Sequence, residues 1–162
     1  LNAYNDLILK SADALGWNNW TIKGDLVLQP NGQWTIIELA PRLSGGLLSS
    51  NIIPEVYGYD YVSSYARMAT GKTPLEYEYT NPRYASQRYL FPEDDWGGKK
   101  ITALPPANNG VRYYKDSGAR VDKVTSHANR LGQVIVTANN STSARERAEK
   151  IINDTLSQIR VG

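Results

Sequence analysis

Residues 22–46 read IKGDLVLQPNGQWTIIELAPRLSGG, and the fold turns on how this stretch is read. Two apolar-rich runs flank Pro30-Asn31-Gly32, and an Asn-Gly pair favours a tight hairpin turn with positive φ at both central residues. A two-residue loop there places Asp25 directly across from Glu38. Like charges opposite each other in a sheet are destabilising, and a shared cation would relieve them. Alternation along the second strand puts Trp34, Ile36 and Glu38 on one face, opposite Thr35 and Ile37. Arg42 and the run Ser44, Gly45, Gly46 follow at once. Two carboxylates, an arginine and glycines adjoin one turn, so function is expected here.

Working outward, residues 3–15 have helical periodicity, with Tyr4, Leu7, Ile8, Ser11, Ala12 and Leu15 on one face and Gly16 as the stop. The hairpin strands fall near 20–28 and 33–39. Leu39 to Ser50 is a Gly/Ser-rich loop, and structureless loops of that length in compact domains are often functional. Asp60 caps a helix running to about Ala69 and closed by Gly71. Residues 72–84 are turn-like and Tyr-rich, Ala85–Leu90 is a strand, and Lys100–Leu104 and Gly110–Tyr114 are extended pieces around Pro105-Pro106.

Residues 119–125 and 131–137 predict two more strands with a bend at Asn129–Gly132. Ser143 with Glu146 predicts a capping box for a last helix that buries Ala144, Ala148, Ile151, Ile152, Thr155, Leu156 and Ile159. Hairpins with flanking helices argue for an α+β fold. The lobe boundary is expected in 72–84, giving segments 1–75 and 76–162.

The 162 residues suit one domain or two small lobes, and 41% apolar content with four Trp can build a core. A net charge of +2 with scattered basic residues argues against a nucleic-acid partner. The absence of cysteine removes thiol catalysis, disulfides and thiolate metal sites, and fits a reducing compartment. No apolar run is long enough to cross a bilayer and no signal-like start is present, so a cytoplasmic location without a membrane partner is expected. Asn-x-Ser/Thr matches at Asn19, Asn139, Asn140 and Asn153 read as chance in an Asn-rich chain. Leu1 opens directly into a helical pattern without an initiator Met, which predicts a piece of a longer polypeptide.

Magnesium takes oxygen ligands, commonly one or two carboxylates with water and substrate phosphates, and Asp25 with Glu38 could supply them. The competing reading leaves both on the solvated face of a hairpin, and a one-residue bulge would move them to opposite faces. Arg42 could hold phosphate oxygens bidentately, with Ser44, Gly45 and Gly46 letting backbone N–H groups approach an anion. The plainer alternative is a surface arginine before a flexible loop. His127 is the only histidine, so it cannot build a metal cluster by itself; with Arg130 it could reach a substrate carboxylate, or be structural. Lys99 and Lys100 read as a solvated turn, and the tyrosines of 57–89 as core or interface rather than pocket.

The run Lys23-Gly24-Asp25-Leu26 through Glu38-Leu39-Ala40-Pro41-Arg42-Leu43-Ser44-Gly45-Gly46 resembles the large C-terminal lobe of ATP-grasp enzymes. The stretch Gly110-Val111, then Val124–Gly132 with His127 and Arg130, then Val134-Ile135-Val136 and the terminal helix resembles, more loosely, the β-rich C-terminal region of L-amino-acid ligases and biotin-carboxylase-like members. The resemblance implies that Asp25 and Glu38 bind the Mg²⁺ (or Mn²⁺) that carries ATP, and that Arg42 contacts the transferred phosphoryl group. Where the family motif Glu-x-Asn-x-Arg has asparagine, this chain has Ala40.

It also implies an ATP-dependent carboxylate–amine ligase that forms an acyl-phosphate and then an amide, releasing ADP and phosphate. Its partners would be small-molecule carboxylate and amine substrates and the N-terminal ATP-grasp portion of the same polypeptide, with homodimerisation left open. The chain alone is then expected to be inactive. The rival expectation, motivated by Ala40 and the missing half, is a non-catalytic binding or scaffolding module derived from such a lobe.

Overall fold

A computed structural model describes residues 3–78 and 83–162, which form two compact units, Leu1–Thr80 and Asn81–Gly162. The architecture is α+β, with antiparallel sheets flanked by helices and a long helix near the C-terminus.

In the first unit, helix α1 (Ala3–Ala14) precedes strands β1 (Lys23–Leu28) and β2 (Trp34–Ala40), which pair antiparallel. Two strands alone are marginal in water and need a covering element. Here α1 packs on β2, where the Tyr4 and Trp34 rings meet edge to face at 5.6 Å. Gly24 keeps this layer close, because a Cβ there would stand 3.1 Å from Leu26 and Leu39 and 3.5 Å from Ile8.

The hairpin corrects two sequence expectations at once. Its loop has three residues, not two: Gln29 N donates to Gln33 O at 2.8 Å, Gly32 N donates to Gln29 O at 2.9 Å, and Gly32 alone of the central pair has positive φ, 81°. Asn31 instead spends its side chain locally, accepting from Gln33 N at 3.0 Å. The longer loop slips the register near the turn, so Leu28 pairs with Trp34 and Leu26 with Ile36. A bulge that leaves Ile37 without a partner then restores the pairing of Asp25 with Glu38. Trp34 and Ile36 therefore do not share a face with Glu38, as strict alternation predicts; the bulge turns Glu38 outward beside Asp25 and leaves Ile37 66% exposed.

The loop expected over Leu39–Ser50 is partly helical. A wide π-type turn at Leu48–Ile52 runs into α2 (Ile53–Tyr57), with Leu47 left-handed at φ 64°. Helix α3 (Tyr61–Ala69) starts where the sequence places it, with the Asp60 carboxylate accepting from Ser63 N at 3.0 Å. The Ser63 side chain foremost, and this backbone bond second, hold the Asp60 carboxyl below its ordinary value. The turn-like reading of 72–84 lies partly outside the described residues.

The second unit holds β3 (Tyr84–Leu90), β4 (Ile101–Ala103), β5 (Val111–Tyr113), β6 (Gly132–Ala138), α4 (Ser141–Gln158) and β7 (Arg160–Val161). Strand β6 is central, pairing with β3 and β5, while β4 pairs with β7. Helix α4 covers one face of β3 and β6, and the core beneath it comprises Leu90, Trp96, Ile101, Val111, Val121, Leu131, Val134, Val136, Ala148 and Ile159. The expected α4 stripe is the one that packs, with Ala144 and Ala148 fully buried.

Two local expectations fail here. Residues 119–125 are not a strand paired with 131–137. Val121 is drawn into the core and its backbone bonds Lys99 and Gly98, while Lys100 and Arg120 form an isolated bridge. The helix cap is not Ser143 with Glu146 but Asn140, whose side chain accepts from Ser143 N at 2.8 Å. Asn, among the strongest N-caps, sits one residue ahead of a Ser-Thr-Ser run and takes the bond first. No helix among the described residues is long and apolar enough to cross a membrane.

Candidate functional site

Strand pairing in the first unit puts Asp25 and Glu38 side by side on the outer face of the hairpin, their side chains 55% and 51% exposed. Lys23, two residues before Asp25 and so on the same face, donates its ammonium to Asp25 and, at 3.4 Å, to Glu38 Oε1. Arg42 places Nη2 3.6 Å from the same Glu38 oxygen. The four side chains alternate in sign, which is how the hairpin tolerates two opposed carboxylates. The bond to Asp25 is the main cause that raises Lys23 above its ordinary 10.5; burial opposes it, and Glu38 adds to it.

Lys23 escaped the sequence reading, although its i, i+2 spacing from Asp25 was a sufficient signal. Arg42 also donates Nη1 to Leu43 O at 3.3 Å. Downstream, Ser44 N donates to the buried Ser49 hydroxyl at 2.9 Å and Gly45 O accepts from Leu48 N at 3.1 Å. The Ser44 N–H is therefore engaged within the loop, whose fold depends on left-handed Gly46 and Leu47 at φ 63° and 64°.

Two hard oxygen donors from adjacent strands, each half exposed, fit magnesium. Among the described residues no three His, Cys, Asp or Glu side chains gather into a metal cluster. A metal here would draw its remaining ligands from water and phosphate oxygens.

His127 and Arg130 belong to the second unit. His127 is exposed at the start of a short turn that Ser126 caps, its hydroxyl accepting from Ala128 N at 3.2 Å. Arg130 lies flat against Tyr89, its guanidinium carbon 3.5 Å from the ring centroid and 5.7 Å from that of Phe91. The tyrosines around α2 and α3 do more than fill a core. Tyr57, Tyr59, Tyr61 and Tyr77 line, with Ile53, an open apolar groove of about 320 Å³.

No family model matches the chain, and no curated protein matches it by sequence. Solved structures match by fold. Phosphoribosylglycinamide synthetase from Anaerococcus prevotii superposes with a TM-score of 0.77 at 21% identity over 96% of this chain and 40% of that one. L-amino acid ligase from Bacillus licheniformis gives 0.68 at 18% identity over 100% and 43%. The biotin carboxylase domain of the 2-oxoglutarate carboxylase from Hydrogenobacter thermophilus, in complex with MgADP, ADP and bicarbonate, gives 0.63 at 18% over 98% and 35%. The topology is that of an ATP-grasp-like lobe, and the chain spans about two fifths of the length of the first two of these structures.

Proposed function

We propose that this chain is the C-terminal part of an ATP- and Mg²⁺-dependent carboxylate–amine ligase of the cytoplasm. The observation that carries the reading is the pairing of Asp25 with Glu38, with Arg42 at 3.6 Å, on a lobe of ATP-grasp-like topology. Magnesium held by the two carboxylates would neutralise phosphate charge during γ-phosphoryl transfer.

A substrate carboxylate oxygen attacks the γ-phosphorus, the bond to ADP breaks, and an acyl-phosphate forms. An amine then attacks the acyl carbon, phosphate leaves, and the amine gives up its proton. Arg42, half exposed and held among the described residues by Glu38 and its own neighbour's carbonyl, would be placed to steady phosphoryl and tetrahedral oxygens. Leu9, Leu15, Trp20 and Leu28 are each at least half exposed, which supports a covering N-terminal portion of the same polypeptide.

Lys23 favours a second reading, a non-catalytic module derived from such a lobe, because its ammonium already compensates both carboxylates. Titrating ATP with and without Mg²⁺ into this chain and into a version carrying its upstream sequence separates the two. Magnesium-dependent binding in the longer protein, lost in Glu38→Gln, supports the ligase; none in either protein supports the module.

A further inference from the structure

Four tyrosines gather where α2 gives way to α3. Left-handed Gly58, at φ 67°, ends α2, and its N–H donates to Pro54 O at 2.8 Å. Asp60 then caps α3. Alternate residues of this step, Tyr57, Tyr59 and Tyr61, line one groove together with Ile53. Tyr77 joins them from the segment beyond α3. Ser64, 2% exposed, accepts from Leu75 N at 3.2 Å and pairs with the Tyr59 hydroxyl, which also donates to Leu75 O at 3.3 Å. These bonds fix Tyr59, with the Tyr61 and Tyr77 ring centroids 6.1 and 5.2 Å from its own.

The lining is ring and hydrocarbon, whereas the residues interleaved with it are acidic. Glu55 lies between Ile53 and Tyr57, Asp60 between Tyr59 and Tyr61, and Glu76 and Glu78 on either side of Tyr77. All four are exposed, and none forms an ion pair with a lysine or arginine among the described residues. No Lys or Arg occurs in 43–66 or in 73–78. Arg67, the first base after the groove, spends its Nε on Thr73 O at 2.7 Å. The groove therefore lies in the field of carboxylates that no cation of the chain offsets.

We propose that this groove binds a small organic cation, a quaternary alkylammonium ion, against the faces of Tyr57, Tyr59, Tyr61 and Tyr77. Ring faces attract a cation through their negative quadrupole, and the contact strengthens as the cation sheds water. An alkylated ammonium sheds it most readily, because methyl groups already wrap its charge. The acidic surroundings repel anions and give a neutral apolar molecule no advantage, so charge complementarity selects the occupant. A groove of about 320 Å³ leaves room for a trimethylammonium head and a short arm. The site does not rest on the ligase reading: its residues lie in the first unit and outside the Asp25–Glu38 hairpin.

The test titrates choline into this chain, and separately tert-butylethanol, its uncharged carbon isostere, at matched ionic strength. NMR follows the choline N-methyl protons and the tyrosine ring resonances. Choline is expected to bind saturably with methyl-to-ring Overhauser contacts, and the isostere about five-fold more weakly or worse. Tyr57→Leu and Tyr61→Leu should each weaken choline about two- to five-fold, the worth of one exposed ring. Glu76→Gln combined with Glu78→Gln, both on an irregular exposed segment, should weaken it at low salt and much less at high salt. Circular dichroism checks that each variant is folded. No saturable shift in the parent chain, equal binding of the isostere, or full affinity in both folded tyrosine variants overturns the site. Choline binding that disappears in a protein carrying the upstream sequence gives the groove to that portion of the polypeptide, and binding lost as the chain dimerises gives it to a second copy; either result overturns the small-cation reading.

Discussion

Glu38 stands opposite Asp25 across the β1–β2 ladder only because the unpaired Ile37 absorbs the slip introduced by a three-residue loop. The bulge solves a packing conflict as well as a register one. Trp34 and Ile36 stay on the inner face, and Glu38 comes out beside Asp25, Lys23 and Arg42. Bulges commonly re-aim side chains near functional sites, and this one aims a carboxylate.

Glu38→Gln, made in a protein carrying the N-terminal portion, should reduce turnover by about a hundred-fold or more, the scale of losing one preorganised electrostatic contact. Thermal stability should hardly change, because the substitution also removes the repulsion with Asp25. Steady-state kinetics with parallel calorimetry checks it; undiminished turnover in a folded variant removes the metal role.

Deleting Ile37 should remove the bulge and still leave Glu38 outward opposite Asp25, because Glu38 then directly follows the inward Ile36 in a regular ladder. The expected outcome is a native Trp34 signal in near-UV circular dichroism and retained Mg²⁺-dependent nucleotide binding in the longer protein. A deletion variant that keeps the Trp34 signal but loses nucleotide binding shows that the bulge itself, beyond the pairing, aims Glu38.

Much of this was readable from residues, for identifiable reasons. Asp60 and the α4 stripe act through local geometry that sequence carries directly. The pairing of Asp25 with Glu38 was readable only because two deviations, a longer loop and a bulge, offset each other. Residues 119–125 misled because alternation of Val121 with polar neighbours looks like a strand, whereas a single buried valine and its bonds to Lys99 and Gly98 decide the path. The tyrosine groove looked like core or interface because Tyr77 meets Tyr59 only through the bonds that hold Leu75 to Ser64 and the Tyr59 hydroxyl.

Gly110→Ala should be severely destabilising, by about 2–4 kcal/mol. Gly110 has φ 85°, and a Cβ there would lie 1.9 Å from Ile135 O, while its own carbonyl accepts from Ile135 N at 3.0 Å. Backbone meets backbone, so no side chain can move aside. Denaturant unfolding of the variant reads the loss; a change below about 0.5 kcal/mol would mean that this loop yields freely.

Asn140→Ala should cost about 1 kcal/mol, the usual worth of an N-cap, or about 4–8 °C in melting temperature for a unit of this size. Ser143→Ala, which removes the residue predicted to cap but keeps the Ser143 backbone N–H that Asn140 uses, should be near neutral. Thermal melts of both variants rank the two; the reverse order would restore the Ser143 cap.

Lys23→Met isolates the cation that the hairpin supplies to itself. Lys23 is held above its ordinary 10.5, so its stabilising ammonium is fully present below that value and is lost as pH rises through the raised one. The variant should therefore melt lower than the parent at neutral pH, and the gap should close in strongly alkaline solution. Divalent ions compete with the ammonium for the same oxygens, Asp25 Oδ2 and Glu38 Oε1. Without it, millimolar Mg²⁺ should bind severalfold more tightly and raise the variant's melting temperature more than the parent's. Mg²⁺ that stabilises both equally would place the ion elsewhere, and a gap that persists above the raised value would show that Lys23 acts through its aliphatic stem rather than its charge.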